Sequence, residues 1–231
     1  MKPQSPGQST DRVALYRDIL RSVPGLSGMY DLAAALISQH VPPGGRVLIT
    51  GAGGGREIEA LGARARTLDL VALDPSDENL KLSRLAAEKA GACDRVNFVT
   101  GTIDTLPIQP RFDAATSLLV MQQLQDDGAK LDYLTALKAR IAPGGLLIHA
   151  DVSCDGADEF EALRPAYVAH AKSAGVAEHV INLETDAISR LPIITPSRTR
   201  ALFREAGLAP PREVFRTLWY RCWVSGVDAA T

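Results

Sequence analysis

Hydrophobic positions recur at two spacings along this chain, and the change between them falls near residue 46. Before it, the apolar residues follow a helical period. Val13, Leu15, Ile19 and Leu20 form one stripe, capped by Thr10 or Asp11 and ended by Pro24-Gly25. Met29, Leu32, Ala33, Leu36 and Ile37 form a second, which predicts a helix from about Ser27 to His40. Residues 10–44 therefore read as N-terminal helices, and the Pro-, Gln- and Ser-rich residues 1–9 as disordered.

From residue 46 onward, short apolar runs alternate with amphipathic stretches. RVLIT (46–50), LDLVALD (68–74), RVNFVT (95–100), FDAATSLLV (112–120) and LLIHA (146–150) predict five buried strands. Helices are expected from about Arg56, from Asp77 to Ala90, and from Gly128 to Ile141, the last stopped by Pro143-Gly144-Gly145. Strands that are apolar on both faces need cover on both. The pattern thus predicts an α/β, doubly wound, Rossmann-like parallel sheet, with ligands at the carboxyl ends of its strands.

Residues 155–195 break the rhythm with two helical stretches, Glu159 to Ser173 and Glu178 to Ile188. This helical insertion would lie over the site as a lid or pack at the sheet edge. A helix from Ser197 to Ala206 ends at Gly207, a C-cap. Segments 212–218 and 220–226 are too close for a helical crossover and must pair as an antiparallel hairpin. No linker or repeat divides residues 1–231, so one domain is expected.

Lys and Arg number 25 against 27 Asp and Glu, and neither sign clusters, so nucleic acid is not an expected partner. Cys93, Cys154 and Cys222 are widely spaced without a CxxC, which argues against a disulfide framework or a metal site and suits a reducing cytoplasm. No signal-peptide core or 18-residue apolar run occurs, so no membrane partner is expected.

The stretch ITGAGGG (49–55) joins a predicted strand to a predicted helix, where glycines let a backbone turn tightly against a ligand. Asp74 follows Gly51 by 23 residues, at the end of the second strand, where a carboxylate can accept from both hydroxyls of a ribose. A dinucleotide site needs a glycine where Arg56 stands. The G-x-G-x-G spacing, the PGG turn and the terminal hairpin favour a methyltransferase; a dehydrogenase is the weaker reading.

Segments 46–55, 71–76, 101–107 and 142–150 resemble class I S-adenosylmethionine-dependent methyltransferases. Over about residues 15–226 the chain is most similar to the bacterial carboxy-S-adenosylmethionine synthase branch. The resemblance implies S-adenosyl-L-methionine as cofactor, bound by Gly51, Ala52, Gly53, Gly55, Asp74, Pro75, Thr102, Ile103 and Leu118, and a small-molecule substrate. The chain departs from the pattern at Ile49 (usually acidic), Thr102 (usually Asp), Leu26 (Tyr in the synthase) and Leu118 (Asn). Glu184 stands where the synthase carries the Arg that holds its cofactor's extra carboxylate, which speaks against synthase activity. The expected function is methyl transfer to a small metabolite. A synthase-like enzyme and a non-catalytic cofactor binder are the alternatives.

No general base stands out. His149 and Asp151, in and just beyond the fifth strand, and Tyr167 and His170, in the insertion, are the weak catalytic candidates. Gln122 or Gln123 is expected to reach the site, while Tyr30 and His179 read as packing or surface residues. Trp219 and Trp223 read as core or dimer contacts, compatible with a homodimer.

Overall fold

The computed structural model describes residues 14–15 and 17–228; the expected cap at Thr10 or Asp11, Val13 and the opening residues 1–9 lie outside the described residues. Strands β1 (Arg46–Thr50), β2 (Asp69–Asp74), β3 (Val96–Thr100), β4 (Phe112–Leu118) and β5 (Ile141–Val152) pair in parallel. β6 (Arg212–Thr217) and β7 (Tyr220–Gly226) form the antiparallel hairpin, with β7 also antiparallel to β5. The order across this seven-stranded sheet is β3-β2-β1-β4-β5-β7-β6, so chain direction reverses its progress between β1 and β4.

The alternation along β1 shows why its run is uninterruptedly apolar. Val47 and Ile49 enter one core with Met29, Ile37, Ile58 and Leu61, whereas Leu48 enters the opposite core with Leu134, Leu137 and Leu202. The first core lies under α1 (Leu26–His40) and α2 (Arg56–Arg64), the second under α4 (Ala129–Arg140) and α7 (Pro196–Glu205). Between them in chain order come α3 (Asp77–Lys89), α5 (Ala157–Ser173) and α6 (Glu178–Ser189). Local chemistry starts two of these helices: the Ser76 hydroxyl accepts from Asn79 N–H ahead of α3, and Thr195 accepts from Arg198 N–H ahead of α7. Such caps contribute about 1 kcal/mol each. Residues 17–22 are also helical.

One expectation needs correction, and one pair of alternatives is decided. The Pro143-Gly144-Gly145 turn does not precede the fifth strand but bulges within it: Ile141 pairs with Phe112 and Leu146 with Ala114, so three extra residues are accommodated. Trp219 and Trp223 are wholly buried within one chain, so neither is available as a dimer contact. Trp219 packs against Phe160 and Tyr167, and Trp223 stacks on His149. No helix among the described residues is long and apolar enough to cross a membrane.

Helices α5 and α6 bury Tyr167, Ala171, Val180, Ile181 and Ile188 in the core that holds Trp219 and Tyr220. At the centre of this packing sits the Glu184 carboxyl. The Tyr167 and Tyr220 hydroxyls donate to it at 2.7 and 2.9 Å. Ser22 Oγ lies 2.5 Å from it and 2.6 Å from the Ile19 carbonyl, its one proton serving either. Burial pushes the Glu184 carboxyl above its ordinary pKa, opposed by the three hydroxyl contacts. One side chain thus joins residues 17–22, α5, α6 and β7. Glu184→Ala leaves two buried tyrosine hydroxyls without an acceptor and is expected to cost about 2–4 kcal/mol. Glu184→Gln, which keeps an acceptor, should lose less than half of that, measured by urea unfolding.

Candidate active site

A cavity of about 760 Å³ opens at the carboxyl ends of β1 and β4, within the range of roughly 300–1,000 Å³ common for small-ligand sites. Its floor is the loop after β1 (Gly51, Ala52, Gly53 and Gly54) and the end of β2 (Asp74, Pro75). Residues after β3 (Thr102, Ile103, Asp104) and after β4 (Leu119, Val120, Gln123) form the sides, with Leu118, Asp132 and Tyr133. Ile19, Leu20, Leu26 and Tyr30 roof it, joined by Tyr220.

Backbone approach explains the glycines. Gly51 has φ 64°, and a Cβ there would lie 2.5 Å from Val120 Cγ2, so the ends of β1 and β4 meet only because it has none. Gly55 serves otherwise than expected. It is not among the residues lining the cavity; a Cβ on it would collide with Ala86 at 2.5 Å, so it is a packing glycine between α2 and α3. Leu119 holds φ 63°, strained for a leucine, as the chain turns off β4 into the cavity wall.

Asp74 organises this floor. Its Oδ2 accepts from Gly53 N–H at 2.9 Å, and its Oδ1 from Ser76 N–H at 2.9 Å and the Asn79 amide at 3.1 Å. A carboxylate offers about four acceptor positions, so three are used inside the chain and about one remains for a ligand. Asp74→Ala should therefore lower the stability of the ligand-free protein by about 2–4 kcal/mol, read by thermal melting, as well as weakening any ligand.

The catalytic candidates do not meet at the cavity. His149, Asp151, Tyr167 and His170 are all absent from its lining among the described residues. Successive residues of β5 face opposite cores, and His149 and Asp151 fall on the side away from α1, with His149 edge-on to Phe203 of α7. Tyr167 points to Glu184, and His170 lies half-buried on α5. His149 and the cavity are nevertheless connected. Its Nδ1 lies 3.3 Å from Ser117 Oγ, which accepts from the hydroxyl of cavity-lining Tyr133 at 2.9 Å. Its Nε2 lies 3.2 Å from Asp151 Oδ2, in contact but off hydrogen-bond alignment. Burial lowers the pKa of the neighbouring Lys130, and the charge of Asp151 opposes that shift.

Of the two glutamines, Gln123 lines the cavity, while Gln122 turns inward to accept from Val152 N–H. Tyr30 is on the wall, although the sequence placed it in packing or at the surface. Glu184 is not; it sits behind Tyr220. No residue of 155–195 lines the cavity among those described, because α5 and α6 pack against β7; the roof comes from residues 19–30.

Glu57 went unrecognised in the sequence. It lines the cavity, is 6% exposed, and its Oε1 has no hydrogen-bond partner. Burial, with a smaller push from the Asp74 charge and against a backbone hydrogen bond, raises its carboxyl to about 8. An acid in a first helical turn reads as a complement to the helix dipole, which hides it. The available signal was its place four residues before Leu61, beside Ile58, on the apolar stripe of α2. Among the described residues four carboxyls, Glu57, Asp74, Asp104 and Asp132, face this cavity against one cation, Arg56, itself paired with Glu59 at 2.8 Å.

A raised acid pKa has a definite stability sign. Between pH 4.5 and about 8 the folded protein keeps a proton that the unfolded chain has released, so stability falls as pH rises through that window. Glu57→Gln removes this slope. The ligand-free variant should gain on the wild type steadily from pH 5 to 8, as measured by melting at each pH.

A sheet of this order with a glycine loop at its switch point defines the class I methyltransferase fold. Residues 48–147 match the family model described as "Methyltransferase domain". The ubiquinone biosynthesis O-methyltransferase of Dinoroseobacter shibae is 32% identical over 104 residues, 45% of this chain and 39% of that protein. Its namesake from Cereibacter sphaeroides is 33% identical over 119 residues, 51% of this chain and 44% of that protein. The chain thus spans less than half the length of these curated relatives. An O-methyltransferase family 2 protein from Planctomyces limnophilus, solved in complex with apigenin, superposes with a TM-score of 0.60 at 17% identity, covering 84% of this chain and 56% of that one. The carboxy-S-adenosylmethionine synthase branch is not among these relatives.

Proposed function

We propose that this protein transfers the methyl group of S-adenosylmethionine to a hydroxyl of a small, largely apolar molecule. The observation that carries this reading is the division of the cavity: acidic beside the glycine loop, apolar under the roof of Ile19, Leu20 and Leu26. Among the described residues, four carboxyls against one paired cation suit a ligand carrying a sulfonium and an ammonium. The same balance disfavours the pyrophosphate of a dinucleotide. It also disfavours a carboxylated cofactor, and hence the synthase alternative. The hydroxyl acceptor is suggested by the O-methyltransferases among the relatives.

The residues present fit this cofactor. The cavity beside Gly51 and Gly53 suits an amino-acid end, the remaining acceptor position of Asp74 suits a ribose hydroxyl, and Ile103 and Leu118 offer apolar surface beside Thr102 for an adenine. When bound, the cofactor supplies an electrophilic methyl group. The protein's part is then to orient the acceptor, exclude water and take up its proton. The Tyr133–Ser117–His149 chain offers that proton a route: Tyr133 Oη receives it while passing its own to Ser117, which passes one to Nδ1 of His149, whose Nε2 lies beside Asp151.

Calorimetric titration with S-adenosylmethionine, followed by incubation of the methyl-labelled cofactor with phenols, catechols and aliphatic alcohols, tests the reading. Measurable binding and label recovered on a phenolic or alcoholic oxygen are expected. Absence of binding overturns it. Tenfold tighter binding of the carboxylated cofactor would put the synthase reading in its place.

A further inference from the structure

The one partner of the Glu57 carboxyl among the described residues is a backbone hydrogen bond, which leaves Oε1 buried without a donor. Glu57 occupies the second position of α2, just after the glycine loop, and its other neighbours are Tyr30, Ala33, Ala34, Ile37, Leu61 and Thr116. That packing gives Oε1 no donor, and buried acceptors without donors are uncommon in folded proteins. The side chain nonetheless lines the large cavity, as do Gly51 and Gly53 of the loop just before it.

If the methyltransferase reading holds, two groups of the ligand bring positive charge. A sulfonium has no N–H or O–H. An ammonium carries three donors, and only it can satisfy the orphan oxygen. We infer that Glu57 is the seat of the ligand's α-ammonium group, and that binding there expels a proton from the Glu57 carboxyl to solvent. No bond to carbon changes; the carboxyl O–H breaks, the proton leaves, and an N–H···O contact takes its place.

The groups facing Glu57 support this order of events. Asp74 at the end of β2 is the negative neighbour, burial holds Tyr133 of α4 neutral, and Tyr30 of α1 lies alongside. Arg56, next in the chain, is engaged by Glu59. With burial raising the carboxyl to about 8, the ligand-free protein holds the proton at pH 7, and an arriving cation reverses the balance.

The test uses the full chain and S-adenosylhomocysteine, which keeps the amino-acid end, lacks the sulfonium and is not consumed. Titrated calorimetrically at pH 7 in phosphate and in Tris, the wild type should show heats differing by the ionisation of nearly one proton. Glu57→Gln should lose that difference and bind both S-adenosylhomocysteine and S-adenosylmethionine at least tenfold more weakly. 5′-Methylthioadenosine, which has no amino-acid end, should bind variant and wild type alike. Buffer-independent heats in the wild type overturn the inference, and that measurement needs no variant to fold. Equal weakening of 5′-methylthioadenosine also overturns it, because Glu57 would then be shaping the pocket. A wild type that binds none of the three ligands refutes the methyltransferase reading and this inference with it. Binding without proton release refutes the inference alone.

Discussion

The Asp74 carboxylate draws three donors from two separate turns onto one buried group, and the geometry of the cavity follows from that gathering. Gly53 belongs to the loop leaving β1; Ser76 and Asn79 belong to the turn and first residues of α3. The crossovers that leave the neighbouring strands β1 and β2 are thereby locked together. The loop keeps a left-handed backbone at Gly51 and Gly53, which side chains would resist, because a charged acceptor repays the constraint. Gly55 then closes the arrangement from behind by letting α2 and α3 approach.

Electrostatically, the site is unusual in what it leaves unresolved. Most buried polar groups here are answered: Lys130 donates to the Met121 carbonyl, Arg140 to the Leu106 carbonyl, and Gln122 accepts from Val152. Glu57 is not answered. The contrast separates the two buried glutamates, because Glu184 has hydroxyls around it and Glu57 lines the cavity with Oε1 buried and without a donor. One carboxyl is a structural tie and the other is available to a ligand.

The sheet was legible because each central strand is apolar on both faces, so its run is continuous and its ends are marked by glycine, proline or a capping residue. β1, β4 and the terminal hairpin came out within a residue or two for that reason. The bulge at residues 143–145 was not legible, since register depends on the partner strand and Pro-Gly-Gly reads as a turn in either setting. The glycine loop and Asp74 could be placed because backbone conformation demands particular residue types. His149 and Asp151 were candidates as strand-end polar residues, but one-residue alternation put them on the far face of the sheet. The choice between a lid and edge packing for residues 155–195 stayed open for a different reason. Nothing local in residues 19–30 or 155–195 tells which segment crosses the strand ends; that is settled by contacts such as Ser22 with Glu184, 162 positions away.

The roof's dependence on distant partners has a consequence for how the chain matures. Thr217 donates to the Pro24 carbonyl across 193 positions, and Ser22 and Leu26 meet α6 and β7 in the same region. During synthesis the glycine loop, Asp74 and the strands beside them emerge early, while the anchors of the roof are still unmade. A nascent chain therefore displays its cavity floor and the apolar faces of Ile19, Leu20 and Leu26 uncovered until β7 has left the ribosome. For that interval the same residues that shelter a ligand in the finished protein are sticky surface, open to chaperones and to neighbouring chains.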